Sequence, residues 1–224
     1  MCGRFTLHHT TDEVAERFAV EQAGIGLRPR YNITPSQPVA AVLQMDGCRR
    51  LEPLQWGLVP SWAKDPKIGS RMINARGETV AEKPSFRGAF KYRRCVIPCS
   101  GYYEWRKGGE DGKEKIPTYL YMEDESVFGM AGLWEEWNGP DGELLHTCSI
   151  ITVEANPFVA AVHHRMPVVL EGDDEALWLD PEVQDSSRLA GLVRPYDGAM
   201  GAHAVSKRVN VPVFDEPECI APAA

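Results

Sequence analysis

The sequence contains no long apolar run. No segment approaches the roughly 18–20 consecutive apolar residues that a membrane-spanning helix needs. The amino terminus also lacks a basic region followed by an apolar core, which is the pattern of a secretory signal peptide. We find no internal repeat and no low-complexity tract. The chain therefore predicts a cytoplasmic protein with no membrane partner.

Signatures of cofactor and metal sites are also scarce. No glycine-rich loop of the nucleotide-binding kinds is present. The spacing of Cys95 and Cys99 fits the broad range of zinc ligands, with Cys148 as a third thiol, but no second close Cys or His pair accompanies them. We therefore expect no metal and no cofactor. Without an export signal, the six cysteines are expected to be reduced thiols.

Basic residues are fewer than acidic residues over the whole chain, but they are not evenly distributed. The net charge of −8 argues at first against a nucleic-acid partner. Residues 60–94, however, contain nine Lys or Arg and three acids, a net of +6, so the remaining residues carry −14. A basic segment on an acidic body can form a local site for an anionic ligand. A solvated connecting region of the same composition is the alternative.

Segments of strand length dominate the pattern of the 224 residues. Residues 38–45, the Asp46-Gly47 turn and residues 48–58 predict a hairpin. Residues 94–98 predict a strand that residues 102–105 continue. About seven or eight strands are expected, and they do not alternate regularly with helices, which disfavours a parallel doubly wound sheet. We expect an α+β fold, with a mainly antiparallel, barrel-like β core and short peripheral helices.

Further local patterns define the ends of segments. Thr10, followed three residues later by Glu13, predicts a capping box at the start of a helix over 10–20. Residues 106–115 are charged and glycine-rich, which indicates a loop. A single domain is expected over residues 1–224, with a Pro-rich tail from about residue 211.

Cys2 directly follows the initiator Met1. Cells commonly remove Met1 before a small residue, which would leave Cys2 with an α-amine and a thiol on adjacent carbons. An α-amine has a pKa of roughly 7.7–8.0, so part of it is neutral and nucleophilic near neutral pH. Such a pair can attack an aldehyde through nitrogen and then close through sulfur to a thiazolidine. The alternative is that Cys2 begins a strand and packs as a small apolar residue.

Two candidates for acid–base chemistry follow. Glu104 lies between Tyr103 and Trp105, where loss of water would raise its pKa toward the range useful for proton transfer. An exposed edge glutamate is the alternative. A short helix is predicted from Asn156 to about residue 163, and a strand over 165–170. His163 and His164 stand where this helix gives way to the strand, and one of them can cap the helix while the other exchanges protons.

Other side chains suit a polar ligand. Asn74 can hold an adduct by hydrogen bonds, or it can be a residue of a turn or one that bonds to backbone. Arg76 can bind phosphate with its forked guanidinium, or it can be a plain surface residue. Trp62 follows Pro60-Ser61 and is the better candidate for stacking on a base, whereas Trp56 is expected in the core.

Taken together, these segments resemble the SOS response-associated peptidase (SRAP) family of abasic-site processing proteins. The resemblance covers nearly the whole chain and depends on the order of its motifs, which are Met1-Cys2-Gly3-Arg4-Phe5, Tyr31-Asn32 through Pro35, Trp56-Gly57 through Trp62, Ile73-Asn74-Ala75-Arg76 with Glu78-Thr79, Arg94-Cys95 through Pro98, Gly101-Tyr102-Tyr103-Glu104-Trp105 and His163-x-Arg165-Met166-Pro167. Many relatives carry Ala-Asp where this chain has Cys99-Ser100, which puts a second thiol near Glu104.

The resemblance implies a function and a set of roles. Family members bind single-stranded DNA, or single-strand/duplex junctions, at an abasic site, and the residue matching Cys2 forms a thiazolidine with the ring-opened sugar. The protein thereby shields the lesion from strand cleavage. The matching catalytic residues are Cys2, Asn74 against the adduct, Glu104 in proton transfer and His163 in ring opening. The matching DNA-binding residues are Arg4, Arg76 and Arg165 on phosphates and Trp62 near a duplex end.

Three functions are compatible with the sequence. The first is self-crosslinking to abasic DNA in the SOS response, by a monomer that associates with the nucleoid when bound to DNA. The second is a thiol peptidase in which Cys2 attacks peptide bonds, including its own Met1-Cys2 bond. The third is a non-catalytic module that binds single-stranded DNA, for which Cys2 would be dispensable. Leakage of the imine stage into strand cleavage, a lyase activity, is also open.

Overall fold

The protein is described here from a computed structural model, which covers residues 2–109 and 111–223. Fourteen strands are present in these residues: β1 (Phe5–Leu7), β2 (Gln22–Ala23), β3 (Arg30–Ile33), β4 (Pro38–Met45), β5 (Cys48–Trp56), β6 (Asn74–Arg76), β7 (Arg94–Cys99), β8 (Gly101–Gly108), β9 (Glu114–Met122), β10 (Phe128–Asn138), β11 (Leu144–Glu154), β12 (Arg165–Pro167), β13 (Val169–Leu170) and β14 (Met200–Ala204). The α-helices in the same residues are α1 (Thr11–Phe18), α2 (Arg87–Tyr92), α3 (Pro157–Ala160), α4 (Asp173–Leu179) and α5 (Ser186–Ala190).

The strands form two sheets. The first has the order β14-β9-β8-β1-β3, and the second has the order β12-β11-β10-β7-β4-β5-β2 with β6 and β13 attached. Pairing is antiparallel except where β11 meets β5 and β6 and where β2 meets β5. The expected α+β fold with a mainly antiparallel β core and short helices is confirmed. There are more strands than expected because several are only two to four residues long, too short to show an alternating pattern.

The local signals of the first helix and the first long hairpin are confirmed. Thr10 accepts the backbone N–H of Glu13, and the Glu13 carboxylate accepts the backbone N–H of Thr10, so both halves of the capping box are present. Strands β4 and β5 pair in antiparallel register up to Met45 and Cys48, around the Asp46-Gly47 turn. Both features depend on residues a few positions apart.

The predicted continuation of one strand through residues 94–105 is wrong. Strand β7 belongs to the second sheet and β8 to the first, and the chain crosses between them at Ser100. The Ser100 backbone N–H donates to Thr6 O at 2.9 Å, and a Cβ at Gly101 would collide with the Tyr119 ring. Only glycine fits at position 101, because the Tyr119 ring occupies the space of a Cβ. The chain therefore passes from the second sheet to the first at this point.

The predicted loop over residues 106–115 is shorter than expected. Strand β8 extends to Gly108 and β9 begins at Glu114, with Gly108 paired to Glu114. The charged residues of this segment lie on a hairpin that extends into solvent, so their polarity reflects exposure and not a lack of strand structure.

The Pro-rich segment after residue 211 packs against β3. The Asn32 side chain donates to Phe214 O at 2.7 Å, and the Asp215 carboxylate accepts the backbone N–H groups of Tyr31 at 2.5 Å and Asn32 at 2.7 Å. Cys219 is buried. It packs with Tyr103 and Tyr119, and the Ala223 N–H donates to Ala204 O at 2.8 Å, so this segment lies against one face of the first sheet.

The two faces of β8 contribute to different apolar clusters. Tyr102 belongs to the main core, which the two sheets share and which also contains Cys2. Tyr103 belongs to a smaller cluster with Tyr119 and Cys219 on the other face. Because side chains alternate along a strand, Glu104 lies on the Tyr102 side, toward Cys2. Within the described residues, no helix is both long and apolar enough to cross a membrane.

Candidate active site

Cys2 enters the core just before β1. Strand β1 pairs with β3 on one side and β8 on the other, and the Tyr103 N–H donates to Arg4 O at 2.9 Å, which extends the pairing toward Cys2. Cys2 is 0% exposed. Burial, and after it the charge of Glu104, raise the pKa of the Cys2 thiol far above its ordinary value. The thiol is therefore protonated at neutral pH, and a reaction through sulfur needs a group that accepts its proton.

Asn74 contacts the backbone of Cys2. It begins β6, which runs parallel to β11 with Asn74 opposite Ile150. Its Nδ2 donates a hydrogen bond to Cys2 O at 2.8 Å. Its Oδ1 is a buried acceptor with no hydrogen-bond partner among the described residues. The amide thus bonds to backbone, as the alternative allowed, but from a strand and not from a turn, and it keeps one buried acceptor that a ligand could use.

Glu104 is a buried carboxyl. Its exposed fraction is 4%, so the alternative of an exposed edge glutamate is wrong. Burial raises the pKa of Glu104 above its ordinary value. A carboxyl of this kind can give a proton to a reacting group and take one back near neutral pH.

His163 lies beside Glu104, between α3 and β12. Its Nδ1 is 3.8 Å from Glu104 Oε1. The same nitrogen is 3.1 Å from the backbone N of Arg165 and 3.2 Å from the backbone O of Arg165. Neutral imidazole can accept from that N–H, and protonated imidazole can donate to that carbonyl, so the ring changes charge without losing a backbone partner. Burial lowers the pKa of His163, which favours the neutral ring.

The two roles suggested for the His pair are not divided between its members, because His163 both ends α3 and lies beside Glu104. The backbone N–H of His163 donates to Val159 O at 2.9 Å at the end of α3. His164 is exposed, and its ring centroid is 4.4 Å from that of His163. His163 is therefore the member of the pair that reaches Glu104.

Strand β11 brings two of the candidate phosphate ligands together. Arg76, at the end of β6, is exposed and lies opposite Thr152 of β11, and Arg165, at the start of β12, lies opposite Glu154. The Arg165 guanidinium donates to both Glu78 carboxylate oxygens, at 2.5 and 3.0 Å, and to Thr152 O. Arg165 is thus held in place by an exposed carboxylate with which a phosphate would compete.

Arg4 is positioned by the segment that follows β14. Its guanidinium donates to Asn32 Oδ1 at 3.0 Å and to Val209 O, and it lies 5.7 Å from the Trp105 ring centroid. These partners leave it half-buried. Arg4 is thus oriented on the face of the first sheet that the Pro-rich segment covers.

Trp62 lies on a separate loop between β5 and β6. It is 58% exposed, whereas Trp56 is fully buried, as expected. With Lys64, Lys67 and Arg71 it lines a depression of about 410 Å³. Among the described residues, no hydrogen bond or ring contact connects Trp62 to Cys2. Trp62 is therefore an exposed aromatic side chain among basic residues.

The basic segment offers fewer ligand-facing charges than its count suggests. Arg94 is buried and donates to backbone carbonyls around it, those of Phe90, Lys91, Trp178, Asp180 and Val183. Burial lowers the pKa of Arg94 to about 10. Arg93 pairs with Glu135 at 2.7 Å. These two arginines stabilise the fold, while Lys64, Lys67, Arg71, Arg76, Lys83 and Arg87 are exposed.

Two residues near the site were missed at the sequence level. Tyr102 is fully buried on the Cys2 side of β8, and its alternation with Glu104 is the signal that could have revealed it. Asn32 orients Arg4, but its role depends on a segment some 180 residues later in the chain. No signal in the local sequence predicts that contact.

Thiols and acids near the site do not form a metal centre. All six cysteines of the chain, each within the described residues, are free thiols. Among those residues, no group of three or more His, Cys, Asp or Glu side chains has the arrangement of a metal site. Cys99 Sγ contacts Gly101 O at 3.2 Å, and burial raises the pKa of the Cys99 thiol. Cys99 is thus an inert thiol in the core.

The site consists of a buried thiol beside a carboxyl–imidazole pair, on a two-sheet α+β frame. It is therefore a site centred on a thiol. Residues 1–212 match the model of the family described as SOS response associated peptidase (SRAP). The chain therefore belongs to the SRAP family.

Similar proteins cover almost the whole chain. The abasic site processing protein YoqW of Bacillus subtilis is 44% identical over 223 residues, which is 98% of this chain and 99% of that protein. The abasic site processing protein HMCES of mouse is 32% identical, over 100% of this chain and 76% of that protein. A crystal structure of a protein from Bacteroides thetaiotaomicron superposes with a TM-score of 0.90 at 29% identity, covering 100% of both chains.

Proposed function

We propose that the protein, once Met1 has been removed, captures abasic sites in single-stranded DNA by forming a covalent thiazolidine through Cys2. The relatives in Bacillus subtilis and mouse are named abasic site processing proteins, which supports abasic DNA as the partner. The observation that carries the proposal is the contact of Asn74 with the Cys2 backbone at 2.8 Å beside the Glu104–His163 pair. The crosslink would shield the lesion during the response to DNA damage.

The chemistry requires two bonds to carbon C1′ of the ring-opened sugar. The Cys2 α-amine forms the C–N bond, and the aldehyde oxygen leaves as water. The proton for this water comes from Glu104, because burial raises the pKa of its carboxyl and so favours the protonated form. The resulting Glu104 carboxylate then takes the proton of the Cys2 thiol, and the sulfur forms the C–S bond as the C=N electron pair returns to nitrogen. Glu104 thus ends in its starting state.

His163 serves the earlier step. The closed sugar is a hemiacetal, so exposure of its aldehyde requires the removal of a proton from the C1′ hydroxyl and the delivery of one to the ring oxygen. When Nδ1–H of neutral His163 donates to Arg165 O, the Nε2 lone pair can accept that proton, and the ring can deliver one to the ring oxygen. Asn74 holds the residue-2 backbone so that the amine and the thiol face the same carbon.

Phosphates flanking the lesion would bind to Arg4, Arg76 and Arg165, and Trp62 would lie near the end of a duplex. Because an abasic nucleotide has no base to unstack, its sugar can enter the site at less cost than an intact nucleotide. We expect a monomer that acts in the cytoplasm and associates with the nucleoid when bound to DNA. Binding should weaken as salt rises, since phosphate contacts release counterions.

Intact mass spectrometry tests the proposal. Protein lacking Met1 is incubated with a uracil-derived abasic single-stranded oligonucleotide, heated and weighed. The expected product has the summed mass of the protein and the oligonucleotide minus one water, which is lost when the two bonds to C1′ form. The Cys2→Ala variant should give no product, and Cys99→Ala, which removes a neighbouring buried thiol, should still react. Wild-type protein that stays unshifted, or an equal product from an intact strand, would refute crosslinking and leave plain binding.

Peptide hydrolysis and strand cleavage are the competing activities. The amide donor of Asn74 lies on the carbonyl after Cys2, whereas release of Met1 by attack on its own bond needs a donor on the carbonyl before it. Asn74 therefore does not supply that donor. At the imine stage, β-elimination would cleave the strand, so closure by sulfur competes with lyase activity, and a denaturing gel of the labelled strand measures the ratio.

A further inference from the structure

The hydroxyl of Tyr102 is a buried polar group with an unusual environment. Tyr102 is 0% exposed, and its Oη has no hydrogen-bond partner among the described residues. Buried hydroxyls normally have a partner, because an unpaired one is destabilising. Phenylalanine would fill the same space without that penalty. The hydroxyl is therefore a candidate for a role in chemistry.

Its position points to Cys2. Tyr102 and Glu104 are two residues apart in β8, so both side chains lie on the face of the sheet that meets Cys2. Tyr102 and Cys2 belong to the same buried cluster, whereas Tyr103 lies on the opposite face, where its hydroxyl donates to Tyr31 O at 2.7 Å. Of these two adjacent tyrosines, only Tyr103 has a hydrogen-bond partner for its hydroxyl among the described residues.

The electrostatic surroundings determine what the Tyr102 hydroxyl can do. Burial, and after it the nearby Cys2, Glu104 and Cys99 groups, raise the pKa of Tyr102 well above its ordinary value. The phenol therefore keeps its proton and can donate a hydrogen bond with it. A donor of this kind favours an anion that forms next to it. Loss of the Cys2 proton creates such an anion.

We propose that Tyr102 is a further catalytic residue, whose hydroxyl donates a hydrogen bond to the Cys2 sulfur while the thiolate closes the thiazolidine ring. This inference rests on the proposed function and concerns its second step. The thiol proton goes to the Glu104 carboxylate, the sulfur electron pair forms the bond to C1′, and the C=N electron pair returns to nitrogen. Tyr102 keeps its own proton throughout. The first step, attack by the amine, does not involve the hydroxyl.

The test compares Tyr102→Phe with the matched variant Tyr103→Phe in protein lacking Met1. Each reacts with the abasic oligonucleotide under single-turnover conditions, and samples are quenched with borohydride and weighed. Borohydride reduces the imine to an amine that is heavier than the thiazolidine adduct by two hydrogen atoms, so both steps are seen. We expect Tyr102→Phe to slow ring closure by roughly 10- to 100-fold, to accumulate the imine and to move the pH profile of closure to higher pH. Tyr103→Phe should leave both steps unchanged.

Thermal unfolding separates this role from a structural one. Tyr102→Phe should unfold at the same temperature as the wild type or higher, because it removes an unpaired hydroxyl. Tyr103→Phe should unfold at a lower temperature, because it loses the bond to Tyr31. Equal slowing of both chemical steps, or an unchanged rate of closure in Tyr102→Phe, overturns the inference while the proposed function stands. A wild-type protein that forms no adduct overturns the proposed function itself.

Discussion

Asn32 connects the packing of the Pro-rich segment to the position of a candidate DNA ligand. Its side chain is buried. Its Oδ1 accepts from Arg4 at 3.0 Å, and its Nδ2 donates to the carbonyls of Val209, Val211 and Phe214 at 3.2, 3.1 and 2.7 Å. An amide nitrogen has only two hydrogens, so these three acceptors share two bonds. Asn32→Ala removes all of these contacts at once.

The expected loss of stability follows from that count. Two neutral hydrogen bonds contribute about 1 kcal/mol each, and the bond from the charged guanidinium contributes about 1.5 kcal/mol or more. Carbonyls left without a partner add to the loss, so the free energy of unfolding should fall by about 3–4 kcal/mol. For a chain of this size, 1 kcal/mol corresponds to roughly 2–4 °C, so the midpoint should fall by at least about 6 °C.

Calorimetry and fluorescence anisotropy measure the two consequences. The midpoint should fall as stated, and the affinity for an abasic single strand should weaken toward that of Arg4→Ala, because Arg4 loses its orienting partner. Asn210→Ala is the matched control, since it removes one exposed bond from Trp105, of 2.8 Å, in the same segment and should shift the midpoint by less than about 3 °C. A fall in midpoint no larger than that of the control would refute the reasoning.

Three further outcomes are expected. Burial raises the folded-state pKa of Glu104 above its unfolded value of about 4.5, so the wild type loses stability as pH rises from there through the folded pKa, by about 1.4 kcal/mol per unit of difference. In urea unfolding, the free energy of unfolding of Glu104→Gln should equal that of the wild type near pH 4 and exceed it at pH 8. A difference between the two proteins that stays constant with pH would contradict this. Glu78→Gln should tighten DNA binding and steepen its salt dependence by about one phosphate contact, since Arg165 loses its competing carboxylate; unchanged binding would count against Arg165 as a phosphate ligand. Arg94→Lys should destabilise the fold by about 2–4 kcal/mol, because three N–H donors cannot replace five, with DNA affinity unaltered in a filter-binding assay.

Local chemistry explains which parts of the fold were predictable. The capping box of Thr10 and Glu13 and the hairpin around Asp46-Gly47 each depend on a few adjacent residues, and both are present. The crossing at Gly101 was not predictable, because it results from the Tyr119 ring packing against the backbone. Likewise, nothing near Arg94 in the sequence predicts its hydrogen bonds to the backbone carbonyls of Trp178, Asp180 and Val183. A charge count gives the sign of a segment but not the direction of its side chains.

The candidate site shows the same division. Cys2 and Glu104 were each identified from chemical type and neighbours, and the burial of Glu104 is as expected. The contact of Asn74 with Cys2 results from the parallel pairing of β6 with β11, which joins segments about 75 residues apart, and no periodicity predicts such a pairing. The roles assigned to these residues in catalysis and DNA binding stay predictions.

The two pairings of strand β11 determine which parts of the candidate site are lost together when the protein opens locally. Its residues Ile150–Thr152 carry β6 with Asn74 and Arg76, while Thr152–Glu154 carry β12 with Arg165, beside His163. Such a five-residue span is expected to open as one cooperative unit, and its amides should exchange with solvent at a common rate. If that span opens, Asn74, Arg76 and Arg165 lose their positions in the same event, so the proposed contact to the adduct and two proposed phosphate contacts are lost together. Opening of this span should therefore weaken DNA binding and slow crosslinking together, while the proposed contacts of Arg4 and Trp62, which lie on other elements, remain.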